Sequence, residues 1–83
     1  MKRLLAYRPA AQRELNRMDR SDAERVVRAL EGFAVSGLGD VKALKGALKG
    51  RYRLRVGKWR IFFSLDQPGS VVVTDMDNRG QAY

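Results

Sequence analysis

The spacing of apolar positions along the chain changes character twice. Leu4-Leu5-Ala6-Tyr7 is a short apolar run closed by Pro9, a residue that suits a first helical turn because the N–H it lacks has no partner there. The expected order is a strand and then a helix. From Pro9 to about Met18 the apolar residues Ala11, Leu15 and Met18 recur at spacings of four and three, with Arg13, Asn16 and Arg17 outside the stripe, which predicts an amphipathic helix. Ser21-Asp22-Ala23-Glu24 has the form of a capping box and predicts a second helix starting at that serine. Its stripe is Ala23, Val26, Val27, Leu30, Phe33 and Ala34, with Gly37 and Gly39 as the stop. Gly32 is an internal weakness of about 1 kcal/mol.

Beyond residue 50 the period becomes two. Arg51-Tyr52-Arg53-Leu54-Arg55-Val56 alternates without a break, so a strand there puts the three arginines on one face and Tyr52, Leu54 and Val56 on the other. Gly57-Lys58 reads as a tight turn. Trp59, Ile61, Phe63 and Leu65 then share one side of a second strand, with Arg60, Phe62 and Ser64 on the other. Pro68-Gly69-Ser70 marks another turn before a last strand that opens at Val71 and reaches about Asp77. Leu44-Lys45-Gly46 and Leu48-Lys49-Gly50 echo each other too briefly to be a repeat, and the segment reads as a connection. The expected class is α+β: an N-terminal strand, a two-helix hairpin and an antiparallel three-stranded meander, with the first strand in the same sheet. Helices then cover one face of the sheet and the arginines occupy the open one.

Composition narrows the chemistry. At 83 residues with 45% apolar and 31% charged positions, the chain is expected to form a single domain over residues 1–83. It has neither Cys nor His, which excludes a disulfide framework, thiolate or imidazole metal sites, a Cys nucleophile and a His base. No metal or cofactor is called for. The N-terminal apolar run is too short for a signal-peptide core and none approaches the ~20 residues of a membrane span, so the expected location is the cytoplasm, away from membranes.

The charge is concentrated. Residues 41–65 hold Lys42, Lys45, Lys49, Arg51, Arg53, Arg55, Lys58 and Arg60 and not one acid, leaving nine cations against nine anions in the rest. The whole net charge of +8 resides in that stretch. A field so localised draws polyanions; the plainer alternative is a solvated basic hairpin. Arginines at spacing two on a strand stand about 7 Å apart, within reach of neighbouring phosphates along a nucleic-acid strand. Guanidinium groups bind phosphate bidentately and stay charged when partly desolvated, so they serve both binding and stabilisation of a charged transition state. Like charges side by side also repel, which favours an anion on that face. Tyr83 adds a ring able to stack on a base, or belongs to a frayed tail.

Three blocks, Leu44-Lys45-Gly46, Tyr52-Arg53-Leu54-Arg55-Val56-Gly57-Lys58-Trp59-Arg60-Ile61-Phe62-Phe63 and Asn78-Arg79-Gly80-Gln81-Ala82-Tyr83, resemble the RelE/ParE superfamily of type II toxin–antitoxin toxins, closest to its RelE-like branch of mRNA interferases. The resemblance runs along essentially the whole chain and implies the RelE-like microbial RNase fold. It further implies a ribosome-dependent mRNA endonuclease that inhibits translation, with the ribose 2'-hydroxyl attacking the adjacent phosphate. In that role Arg53 and Arg55 resemble the strand pair that holds phosphate, Arg60 the arginine that stabilises the transition state, and Arg79 with Tyr83 the C-terminal Arg-x-x-x-Tyr motif. Lys45, Lys49, Arg51 and Lys58 are expected to add RNA contacts. Asn78 stands where many relatives carry His, which removes one proton donor. The implied partners are a cognate RelB-like antitoxin, in a toxin–antitoxin hetero-oligomer, and the ribosome with its mRNA. Two other readings stay open: a ParE-like inhibitor of DNA gyrase, and a non-catalytic antitoxin-binding module.

Overall fold

Strand β1, Leu4–Tyr7, leads directly into helix α1, Pro9–Arg17, in a computed structural model that describes residues 2–46 and 50–78. Pro9 occupies the first helical turn, as its missing N–H allows. Only Met18 and Asp19 separate α1 from helix α2, Arg20–Ser36. The predicted capping box is therefore not formed. Asp19 is the N-cap, with its carbonyl accepting the Ala23 N–H at 2.9 Å and no side-chain cap, while Ser21 lies inside the first turn. Both linking residues are extended, and a link this short starts the second helix before Ser21 can stand outside it. The stop is as expected: Gly37 takes φ +75, which a side chain resists, and donates to the Phe33 carbonyl at 2.7 Å.

The rest of the chain is sheet: β2, Val41–Ala43; β3, Arg51–Val56; β4, Trp59–Ser64; and β5, Ser70–Asn78. The order across the sheet is β1-β5-β4-β3-β2, with β1 parallel to β5 and the other neighbours antiparallel. The N-terminal strand thus joins the meander as expected. Strand β2 is an addition, since the segment after Gly39 reads as a connection in sequence. Three residues are too few to display a period, and they pair with Tyr52, Arg53 and Leu54 only once β3 is in place.

Ala11, Val26, Leu30, Phe33 and Ala34 from the helices meet Leu54, Ile61, Phe63, Val71, Val73 and Met76 from the sheet in one buried cluster. Phe63 has ring neighbours on both sides, Phe33 at 5.1 Å tilted and Tyr52 at 5.6 Å stacked. Strand β5 would lose its phase here without an irregularity. Val71 and Val73 face the core, and strict alternation would carry Asp75 and Asp77 into it as well. A bulge intervenes: Phe62 pairs with Asp75 but Phe63 pairs with Val73, so Thr74 is the extra residue. Its hydroxyl lies 3.2 Å from the Phe62 carbonyl and 2.9 Å from Asp75 Oδ1. Beyond it Met76 returns to the core and both carboxylates reach the open face.

Candidate nucleic-acid interface

The open face is built in rows across the strands. One row is Arg55–Arg60–Asp77, the next is Lys42–Arg53–Phe62–Asp75, and a third is Arg51–Ser64–Val72. Each row lies two residues along the strand from the last, about 7 Å. The register places Arg51, Arg53, Arg55 and Arg60 on one face, as alternation predicts, because the two-residue turn at Gly57-Lys58 aligns Val56 with Trp59. Gly57 takes φ +59 there, and a Cβ on it would stand 3.3 Å from Arg25 Nη2.

The arginines differ in setting. Arg60 Nε donates to Asp77 Oδ1 and Nη2 to Oδ2, both at 2.7 Å, and its guanidinium sits 5.7 Å from the Phe62 ring centre. Two short charge-assisted bonds and a ring beneath define one orientation for this fork. Arg53 is the least exposed, its side chain 17% accessible, with Nη2 3.8 Å from Asp40 Oδ1 and a buried Nε that meets no acceptor among the described residues. Arg55 is exposed, and its backbone N–H donates to the Asp40 carbonyl at 3.0 Å. Beyond the third row a depression of about 320 Å³ is lined by Arg8, Arg51, Ser64, Asp66, Gln67 and Thr74 among others.

Other expected contacts lie at opposite ends. Lys45 is exposed after β2, near the Arg51 end of the hairpin, while Lys58 is exposed at the hairpin tip beside the Arg55–Arg60 row. Lys49, Arg79 and Tyr83 lie outside the described residues. Lys42 and Phe62 share this face without being among the expected contacts, and the carboxylates of Asp40, Asp75 and Asp77 reach it only through strand pairing. A window free of acids between residues 41 and 65 says nothing of acids that pairing brings alongside it. The available signal was the phase of Val71, Val73, Asp75 and Asp77, which would bury two carboxylates unless a bulge intervened.

Chemically the face can hold a polyanion and stabilise added negative charge. Among the described residues no group of three or more His, Cys, Asp or Glu side chains could hold a metal ion, and no helix is long and apolar enough to cross a membrane.

This arrangement, a mostly antiparallel sheet backed by a helix hairpin, is the fold of RelE-type toxins. The RelBE2 toxin–antitoxin complex from Mycobacterium tuberculosis contains a chain that superposes with a TM-score of 0.83 at 23% identity, covering 95% of this chain and 100% of that one. A chain of the archaeal RelE–RelB complex from Pyrococcus horikoshii gives 0.78 at 17% identity, covering 98% and 99%. The YoeB/ParE toxin from Agrobacterium tumefaciens gives 0.75 at 19%, covering 94% and 98%. No curated protein sequence matches the chain. Residues 5–83 match the family model described as the ParE toxin of the type II toxin–antitoxin system parDE, and the chain belongs to this family of the RelE/ParE superfamily.

Proposed function

We propose that this toxin is a ribosome-dependent mRNA endonuclease that arrests translation in the cytoplasm and is held in check by a RelB-like antitoxin. The observation that carries the reading is the open face itself, where Arg53, Arg55 and a doubly anchored Arg60 stand on adjacent strands within one or two phosphate steps of each other. In the cleavage step the ribose 2'-oxygen forms a bond to the adjacent phosphorus while the bond to the 5'-oxygen breaks. The 2'-hydroxyl loses its proton and the departing oxygen gains one. Arg53 and Arg55 hold the phosphate, and Arg60 meets the charge that builds on its oxygens. Arg79 and Tyr83 complete the site, with the tyrosine stacking on the substrate base. Lys45, Lys49, Arg51 and Lys58 contact RNA around it. Arginine is a poor proton carrier at neutral pH, so rate enhancement here rests on in-line placement and charge stabilisation.

Mapping of mRNA 5' ends after induced expression tests this directly. Codon-phased cuts are expected, and Arg60→Ala should slow single-turnover cleavage on ribosomes by roughly 100-fold or more with ribosome binding retained. Cleavage at the parental rate by Arg60→Ala would remove the mechanism. A second reading, inhibition of DNA gyrase, is favoured by one observation, the match to a model named for ParE. A DNA-damage response without mRNA cuts selects it.

A further inference from the structure

We infer that Asp77 is a positioning residue for the cleavage step, holding Arg60 in the orientation that meets the scissile phosphate. The inference rests on the nuclease reading above. Asp77 is the direct cross-strand neighbour of Arg60, and its two oxygens take the Nε and Nη2 hydrogens at 2.7 Å each. That contact uses the side edge of the guanidinium fork. The Nη1 hydrogens and the second hydrogen of Nη2 lie on its other edges, the geometry a planar fork needs to grip a carboxylate and a phosphate together.

Three features argue that orientation, rather than stability, is what the pair provides. The side chains are 29% and 47% accessible, and pairs so exposed contribute little to folding. The carboxylate faces the arginine only because the bulge at Thr74 re-phases β5, an interruption of pairing of the sort found beside functional sites. On its other flank Arg60 faces Arg55 directly across the β3–β4 ladder, and like charges in that relation repel. Without Asp77 the Arg60 side chain would lose this bidentate anchor while the repulsion from Arg55 remained.

A competing effect makes the inference testable. Removing any carboxylate from a basic face should strengthen its hold on a polyanion, so a mere charge effect and a positioning effect have opposite signs. Asp77→Asn keeps the size but sets an amide N–H₂ against one of the arginine donors. It should lower the single-turnover cleavage rate on ribosomes about 10-fold, with ribosome affinity equal to or above the parental value. Asp75→Asn, on the same face two residues away, should raise affinity equally, which gives the size of the charge effect alone. In an Arg60→Ala background, Asp77→Asn should cost nothing further, which a general structural defect would not reproduce. Should Asp77→Asn fail to fold by thermal melt, Asp77→Glu, which keeps the charge one methylene further out, should give an intermediate loss. A parental or faster rate in either foldable variant, or an undiminished loss in the Arg60→Ala background, overturns the inference while the nuclease reading stands. Absence of cleavage by the wild-type chain overturns both.

Discussion

The two faces of the sheet are made by the same strands and obey different rules. On the helix-covered face Leu54, Ile61, Phe63, Val71, Val73 and Met76 find partners within the chain, chiefly on α2. On the open face Lys42, Arg51, Arg53, Arg55 and Arg60 outnumber Asp75 and Asp77, and the Arg53 Nε has no acceptor among the described residues. The first face is closed: its contacts are internal, so it contributes stability. The second is unfinished electrostatically, with carboxylates enough to orient one arginine and too few to balance the row. A face left in that condition is suited to a multivalent anion, and the difference predicts that substitutions on the two sides separate folding from function.

The largest effect should come from the closed face. Phe63 is fully buried between Phe33 and Tyr52, and Phe63→Ala should cost about 3–5 kcal/mol. A domain of this size has roughly 4–12 kcal/mol in all, so the variant should sit close to unfolding at growth temperature. Denaturant titration measures this. A loss under about 1 kcal/mol would mean that the cluster is not the source of stability.

Arg53 gives an intermediate effect of opposite sense on the two properties. A buried N–H without an acceptor costs about 1–3 kcal/mol, and the Asp40 contact at 3.8 Å is too long to offset it fully. Arg53→Met keeps the stem and removes the donor, so stability should hold or rise by about 1 kcal/mol. Binding should move the other way: RNA affinity should fall and its salt dependence should flatten by somewhat under one unit of slope for the lost phosphate contact. An unchanged slope would put the RNA on another surface, and a large loss of stability would show that Arg53 belongs to the closed face.

The closed face was the more legible of the two in sequence. Period-two alternation from Arg51 to Leu65 assigns every core position on β3 and β4, and the helical stripe ending at Phe33 and Ala34 supplies the other wall. These patterns are local, because burial repeats within each element. The open face was half legible, since alternation also shows which arginines share a side. What local pattern cannot carry is pairing between distant segments. Asp77, seventeen residues along the chain from Arg60, faces it because β5 lies beside β4, and only the bulge at Thr74 turns its carboxylate outward. The cap at Asp19 was missed for a related reason: Ser21 satisfies the capping rule by type, but the length of the link from α1 decides where the helix starts.

The smallest expected effect lies at the border of the two faces. Tyr7 on β1 pairs in register with Val73 and packs against the buried cluster. Burial first, and the nearby Glu31 carboxylate second, push its phenol above the ordinary value of 10.0. The folded chain therefore keeps this proton to higher pH than the unfolded chain does. Stability from this group is complete below pH about 10 and declines as pH rises through the shifted value, because over that window the native state binds more protons than the unfolded state. Tyr7→Phe lacks the ionisation, so in urea titrations its stability relative to the parent should improve as the pH is raised from about 9 to about 11. The difference between the two chains isolates this one ionisation. Glu31→Gln should give a smaller change of the same sign, since it removes only the second cause. Parallel alkaline decline in the parent and Tyr7→Phe would mean that the phenol is as hydrated as in the unfolded chain, and would move Tyr7 from the closed face to the open one.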